Sequence, residues 1–161
     1  MSYAEFIRKK SQINHNSGFE PVFMPDFLID FQRSLVEWAV RKGRAALFAD
    51  CGLGKGPMQL TWAENVHRHT NKPTLILAPL AVSLQFVTEG EKFGIEVNRS
   101  NDGKPNGGIT VTNYERLDKF DPNDYGGVST GLLAAVQACI ATTEQARKSR
   151  TKNICTRCSS T

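Results

Sequence analysis

The stretch Ala45–Gly56, AALFADCGLGKG, decides the fold. Its apolar start is bounded by turn formers, which predicts a buried strand over Ala45–Ala49. Asp50–Gly54 is then a short glycine-containing loop. Lys55–His69 carries Met58, Trp62 and Val66 at i, i+4 spacing and predicts a helix. A strand that feeds a tight loop into a helix aims successive backbone N–H groups at one point, and the helix N-terminus adds partial positive charge. Gly52 and Gly54 permit backbone angles and close approaches that a Cβ blocks. Gly52, Leu53, Gly54, Lys55 and Gly56 therefore form a candidate phosphate cradle, with Lys55 reaching the outer phosphates. Loops of this kind next carry Ser or Thr, whose hydroxyl ligates Mg²⁺. Gly56 has no oxygen to offer, whereas Pro57 suits the first turn of a helix.

The same alternation extends in both directions. Upstream, a short helix is predicted over Tyr3–Lys10, and Pro21 and Pro25 bracket an extended segment. Asp26 is placed to cap a helix over 27–42, with Leu28, Phe31, Leu35, Trp38 and Ala39 on one face and Gly43 ending it. Downstream come a buried strand Thr74–Ala78, a helix Val82–Phe93 closed by Gly94, and a short strand Ile95–Val97. A turn-rich loop, Asn98–Gly108, leads to a strand Ile109–Thr112 and a short helix starting at Asn113–Leu117. Apolar strands alternating with helices over short loops predict an α/β fold with a short parallel sheet flanked by helices. The pattern changes after Val128: Gly131–Arg147 is Ala-rich and predicts a helix, and the remainder reads as an uncored tail.

The chain has 161 residues, one domain's worth, so two motor domains do not fit in it. With 40% hydrophobic and 22% charged residues it is not a disordered chain as a whole. No apolar run approaches the ~18 residues of a membrane span. The opening MSYAEFIRKKSQ has no apolar h-region, so no secretory signal is expected. A cytoplasmic setting with reduced thiols follows for the 4 cysteines. Net charge is +4, yet residues 1–142 hold 15 basic and 15 acidic side chains. The positive charge belongs to the segment after Thr143 and not to a binding groove on the domain.

Four segments together resemble the first RecA-like, ATP-binding lobe of superfamily-two helicases and translocases. The likeness is to the DEAD/DEAH and chromatin-remodeller-like kind often encoded by bacteriophages. FQRSLVEWAV at Phe31–Val40 resembles the upstream glutamine segment, and ALFADCGLGKG at Ala46–Gly56 resembles motif I. LILAPLAVSLQF at Leu75–Phe86 resembles motif Ia, and ITVTNYERL at Ile109–Leu117 resembles the segment before motif II. The resemblance covers residues 25–128, leaving 1–24 as an N-terminal extension and 129–161 as an unrelated segment. It implies ATP as ligand, Mg²⁺ as its companion and DNA as a partner, with other helicase or replication proteins beside them. It also makes Gln32 a candidate adenine contact, and Ser83 and Gln85 candidate nucleic-acid contacts.

The family pattern next requires a strand ending in Asp-Glu, the carboxylates that hold Mg²⁺ and polarise the attacking water. No acidic residue occurs from Ser129 to Thr143, and the second lobe with its arginine finger is absent from the pattern. No catalytic residue and no metal ligand is therefore assigned. The chain reads as a nucleotide-binding helicase fragment that is catalytically incompetent alone. The alternatives are a non-enzymatic interaction module that mimics a helicase lobe, or a frame-changed product without function of its own. Cys51 reads as a small loop residue, since no histidine is placed to activate it. His67 and His69 suit a helix C-terminus. Cys155 and Cys158 have half of a zinc ribbon's spacing without the other half.

Overall fold

A computed structural model describes residues 17–132 and 137–142, with side chains for residues 17–130. The elements run α1 (Asp30–Lys42), β1 (Ala45–Leu47), α2 (Lys55–Thr70), β2 (Thr74–Leu77) and α3 (Leu80–Phe93). They continue through β3 (Val97–Arg99), β4 (Ile109–Thr112), two 3₁₀ turns (Tyr114–Lys119 and Pro122–Asp124), β5 (Gly127–Leu132) and β6 (Gln137–Thr142). Among the described residues, one sheet holds six strands in the order β1-β6-β5-β2-β4-β3. The block β5-β2-β4-β3 is parallel throughout. β6 runs antiparallel to both β5 and β1, so β1 points the same way as the parallel block.

The central parallel strands β2 and β4 are short and covered on both faces. Every residue of β2 and β4 is buried. Side chains alternate across a strand, and β2 sorts accordingly. Ile76 joins the core under the helices, while Leu75 and Leu77 pack with Phe120 and Tyr125 on the opposite face. The helices lie side by side, α2 between α1 and α3, and their core centres on Met58, Leu60, Trp62, Ala63 and Val66 of α2. Gly127 lets α2 approach β5: a Cβ there would stand 2.9 Å from Val66 Cγ1 and 3.1 Å from the Trp62 ring.

Several boundaries differ from the sequence reading, each for a local reason. α1 starts at Asp30, its N-cap is Ile29, and Asp26 instead pairs with Arg33 at 3.6 Å. The buried face of α1 is Gln32, Val36, Ala39 and Val40, and Phe31 and Trp38 point outward. Polar Gln32 faces inward because its amide donates to Leu53 O in the loop after β1. α3 begins at Leu80 because Pro79 can precede a helix without giving up a hydrogen bond. The third strand lies at Val97–Arg99, since Ile95 N–H is bonded to Gly90 O in the helix C-cap. Over 137–142 the Ala-rich segment forms strand β6 and not the predicted helix, so the sheet is mixed and not wholly parallel. The predicted helix Tyr3–Lys10 and the pair Cys155 and Cys158 lie outside the described residues.

The lead-in to α1 is held by one side chain. Asn65 of α2 is fully buried. Its Oδ1 accepts from Val22 N–H at 2.8 Å and Phe23 N–H at 2.9 Å, and its Nδ2 donates to Phe23 O at 2.7 Å and Thr61 O at 2.8 Å. These bonds use the full donor capacity of the amide. Around them, Arg68 stacks over Phe23, and Phe19 lies flat on His69 with ring centroids 3.8 Å apart. Residues 17–29 are thereby anchored on α2 and deliver Ile29 and Gln32 to the loop after β1.

Candidate functional site

β1 ends at Leu47, and the chain passes through exposed Phe48 and buried Ala49 before it turns. Asp50 Oδ1 accepts from Cys51 N–H at 2.7 Å, which tightens the start of the loop. Gly52 and Gly54 have φ of +80° and +70°, angles that side chains with a Cβ rarely adopt. Gly54 is the N-cap of α2, so the loop opens directly into the helix. Pro57 falls in the first turn, where its missing N–H forfeits no helical bond.

Lys55 is half-buried and folds back over the loop, its Nζ donating to Asp50 O at 2.9 Å and Ala49 O at 3.2 Å. Neither carbonyl is a charged partner. An anion set into the loop would compete for this ammonium on favourable terms, because charge-assisted bonds are the stronger kind. Leu53 is exposed at the tip.

Gln32 touches the loop backbone. Its Nε2 donates to Leu53 O at 3.0 Å, and its Oε1 accepts from Ile29 N–H at 3.2 Å. A Cβ on Gly54 would lie 2.3 Å from Gln32 Nε2, so the close approach depends on glycine. Gln32 is 8% exposed, with its amide committed to the loop and to the cap of α1. The structure thus brings together Gln32, Gly52, Leu53, Gly54, Lys55 and Gly56.

Ser83 and Gln85 stand on α3 and not in the loop. Ser83 is buried and its hydroxyl donates to Leu80 O at 2.7 Å. Gln85 is exposed and its amide donates to Glu89 Oε1 at 2.8 Å. No Lys or Arg lies between Pro73 and Glu91. His67 Nδ1 sits 2.9 Å from Lys72 O, while His69 is stacked on Phe19, so the two rings face different partners.

Two contacts at the site carry no signal in the sequence. Gln59 Nε2 donates to Ser129 Oγ at 2.7 Å in the core, which ties α2 to β5. Glu89 reaches across from α3 to Gly56: a Cβ at residue 56 would lie 1.9 Å from Glu89 Oε2. Gln85 and Glu89 at i, i+4 read only as a surface pair on one helix. No family model matches the chain, and no curated protein matches it.

Proposed function

We propose that this chain is a nucleotide-binding lobe of the RecA-like type, akin to the first lobe of a superfamily-two helicase or translocase, and that it binds ATP at the loop between β1 and α2. One observation carries the reading: two positive-φ glycines join a strand to a helix N-terminus, with a lysine ammonium held over the loop by two neutral carbonyls. In that setting the loop N–H groups and the α2 terminus take the phosphates, and Lys55 leaves its carbonyls for the outer phosphate oxygens. Gln32 holds the loop against α1, and its role as an adenine contact rests on the resemblance alone. Mg²⁺, when bound with the nucleotide, supplies neutralising charge to the phosphates.

Binding without turnover is the corresponding activity. β5 runs beside β2 and across from Gln59, where the family pattern puts its carboxylate pair, and Gly127–Leu132 contains no acid. DNA as partner rests on the resemblance alone. Titration of the full chain with ATP in a calorimeter tests the reading. Wild type gives saturable heat and Lys55→Ala loses it. Equal heats from both proteins, or none from wild type, refute the site.

A second reading, a protein-docking module, is favoured by apolar side chains on the loops and helix starts that follow β1, β2 and β4. Leu53, Leu80, Leu84, Tyr114 and Leu117 are each between 37% and 59% exposed. The same titration discriminates, because only the first reading requires ATP to bind.

A further inference from the structure

Gly56 removes the hydroxyl that loops of this type use toward a divalent cation, and the space left by its missing side chain is filled. One carboxylate oxygen of Glu89 stands 1.9 Å from where a Cβ on residue 56 would be, and the other 3.1 Å from it. An oxygen of Glu89 thus lies within the volume that the Cβ and hydroxyl of a Ser or Thr would fill. The arrangement is braced from α3 itself, because Gln85 Nε2 donates to Glu89 Oε1 at 2.8 Å. That bond leaves Oε2, the oxygen nearer residue 56, turned toward the first turn of α2. Glu89 is partly exposed, so its carboxylate is reachable.

The donor chemistry fits the group. Mg²⁺ takes oxygen ligands and is usually held by one or two carboxylates together with substrate phosphates, keeping several waters. A carboxylate is a stronger ligand for such an ion than a neutral hydroxyl, and it arrives here from a neighbouring helix.

We propose that Glu89 is the protein ligand to the divalent cation that accompanies the nucleotide, replacing from α3 the side chain that residue 56 lacks. The proposal rests on the nucleotide-site reading above. It has a consequence of definite sign. Without a divalent ion, the Glu89 carboxylate repels the phosphates, since like charges at short range are unfavourable. With the ion present, the same carboxylate holds it against them. Glu89 therefore makes ATP binding depend on metal.

The test is calorimetric titration of the full-length wild type and Glu89→Gln with ATP, once with Mg²⁺ and once with EDTA. Gln at 89 keeps an oxygen that can accept from Gln85, and matching thermal melts establish that both proteins are folded. Wild type should bind Mg·ATP about tenfold more tightly than Glu89→Gln, and the order should reverse in EDTA. With Mn²⁺ replacing Mg²⁺, the electron paramagnetic resonance signal of bound metal in the ATP complex should fall in the variant. If Glu89→Gln binds ATP more tightly under both conditions, Glu89 is an electrostatic obstacle and the proposal fails. Unchanged affinities under both conditions also overturn it. No ATP binding by either protein removes the nucleotide site itself, and this proposal with it.

Discussion

Asn65→Ala tests how the lead-in segment is held. The side chain is 0% exposed and makes four hydrogen bonds, three of them to Val22 and Phe23. Truncation leaves two N–H donors and two carbonyl acceptors without this partner. Val22 is 55% exposed, so water can restore its N–H, and Thr61 O lies in a helix. The remaining loss falls on Phe23, at about 1–3 kcal/mol per stranded buried group. We expect about 2–6 kcal/mol in all, a large share of the ~5–15 kcal/mol typical of a domain. Urea unfolding followed by tryptophan fluorescence reads this directly, since Trp62 is 1% exposed in the folded state. Amide exchange at Val22 and Phe23 should accelerate more than exchange in β2 or β4. Asn65→Asp keeps the acceptor but sets a carboxylate against Phe23 O and Thr61 O, so it should be at least as damaging at neutral pH and partly recover in acid. A loss below about 1 kcal/mol with unchanged exchange at both amides would refute the clamp.

Two further predictions concern the loop and the far face of the sheet. Gly54→Ala and Gly52→Ala share the positive-φ penalty, about 1–2 kcal/mol each. Only the former also drives a Cβ to within 2.3 Å of Gln32 Nε2, while the latter meets nothing within 4 Å. Gly54→Ala should therefore lose more stability than Gly52→Ala and, on the proposed function, more ATP affinity, and equal losses in paired melts would count against the Gln32 contact. Tyr125 is fully buried, and burial first, then the Asp124 charge, push its phenol up from the ordinary 10.0 to about 12. The unfolded phenol sheds its proton near the lower value while the folded one keeps it, so stability falls as pH rises through that interval. The wild-type urea midpoint should drop between pH 10.0 and about 12. Tyr125→Phe should drop less, and parallel curves would sink the assignment.

Elements with a strong local pattern were legible in the sequence. Lys55–Thr70 is helical where Met58, Trp62 and Val66 repeat at helical spacing, and Thr74–Leu77 and Ile109–Thr112 are strands where short apolar runs meet turn residues. Gly43 and Gly94 end helices as their type suggests, each with positive φ. The α1 face departs from the sequence pattern for a physical reason: hydrophobicity favours burying Phe31 and Trp38, whereas hydrogen bonds to Leu53 O and Ile29 N–H hold polar Gln32 inside. The 137–142 segment departs from the pattern because Ala-rich composition favours a helix in isolation, while pairing with β5 and β1 overrides it.

The loop after β1 is determined locally: its glycines, its lysine and the flanking apolar runs lie within one short stretch, and their conformational preferences act between near neighbours. The sequence by itself therefore determined that a strand, a glycine turn and a helix follow one another there. It also determined that Gly56 brings no oxygen. What surrounds that turn was decided by tertiary structure. Gln32 on Leu53 O, Glu89 beside Gly56 and Asn65 on Val22 and Phe23 join residues 21, 33 and 42–43 positions apart. Such pairs leave no periodicity in the chain, because they arise only when α1, α2 and α3 pack side by side on one face of the sheet.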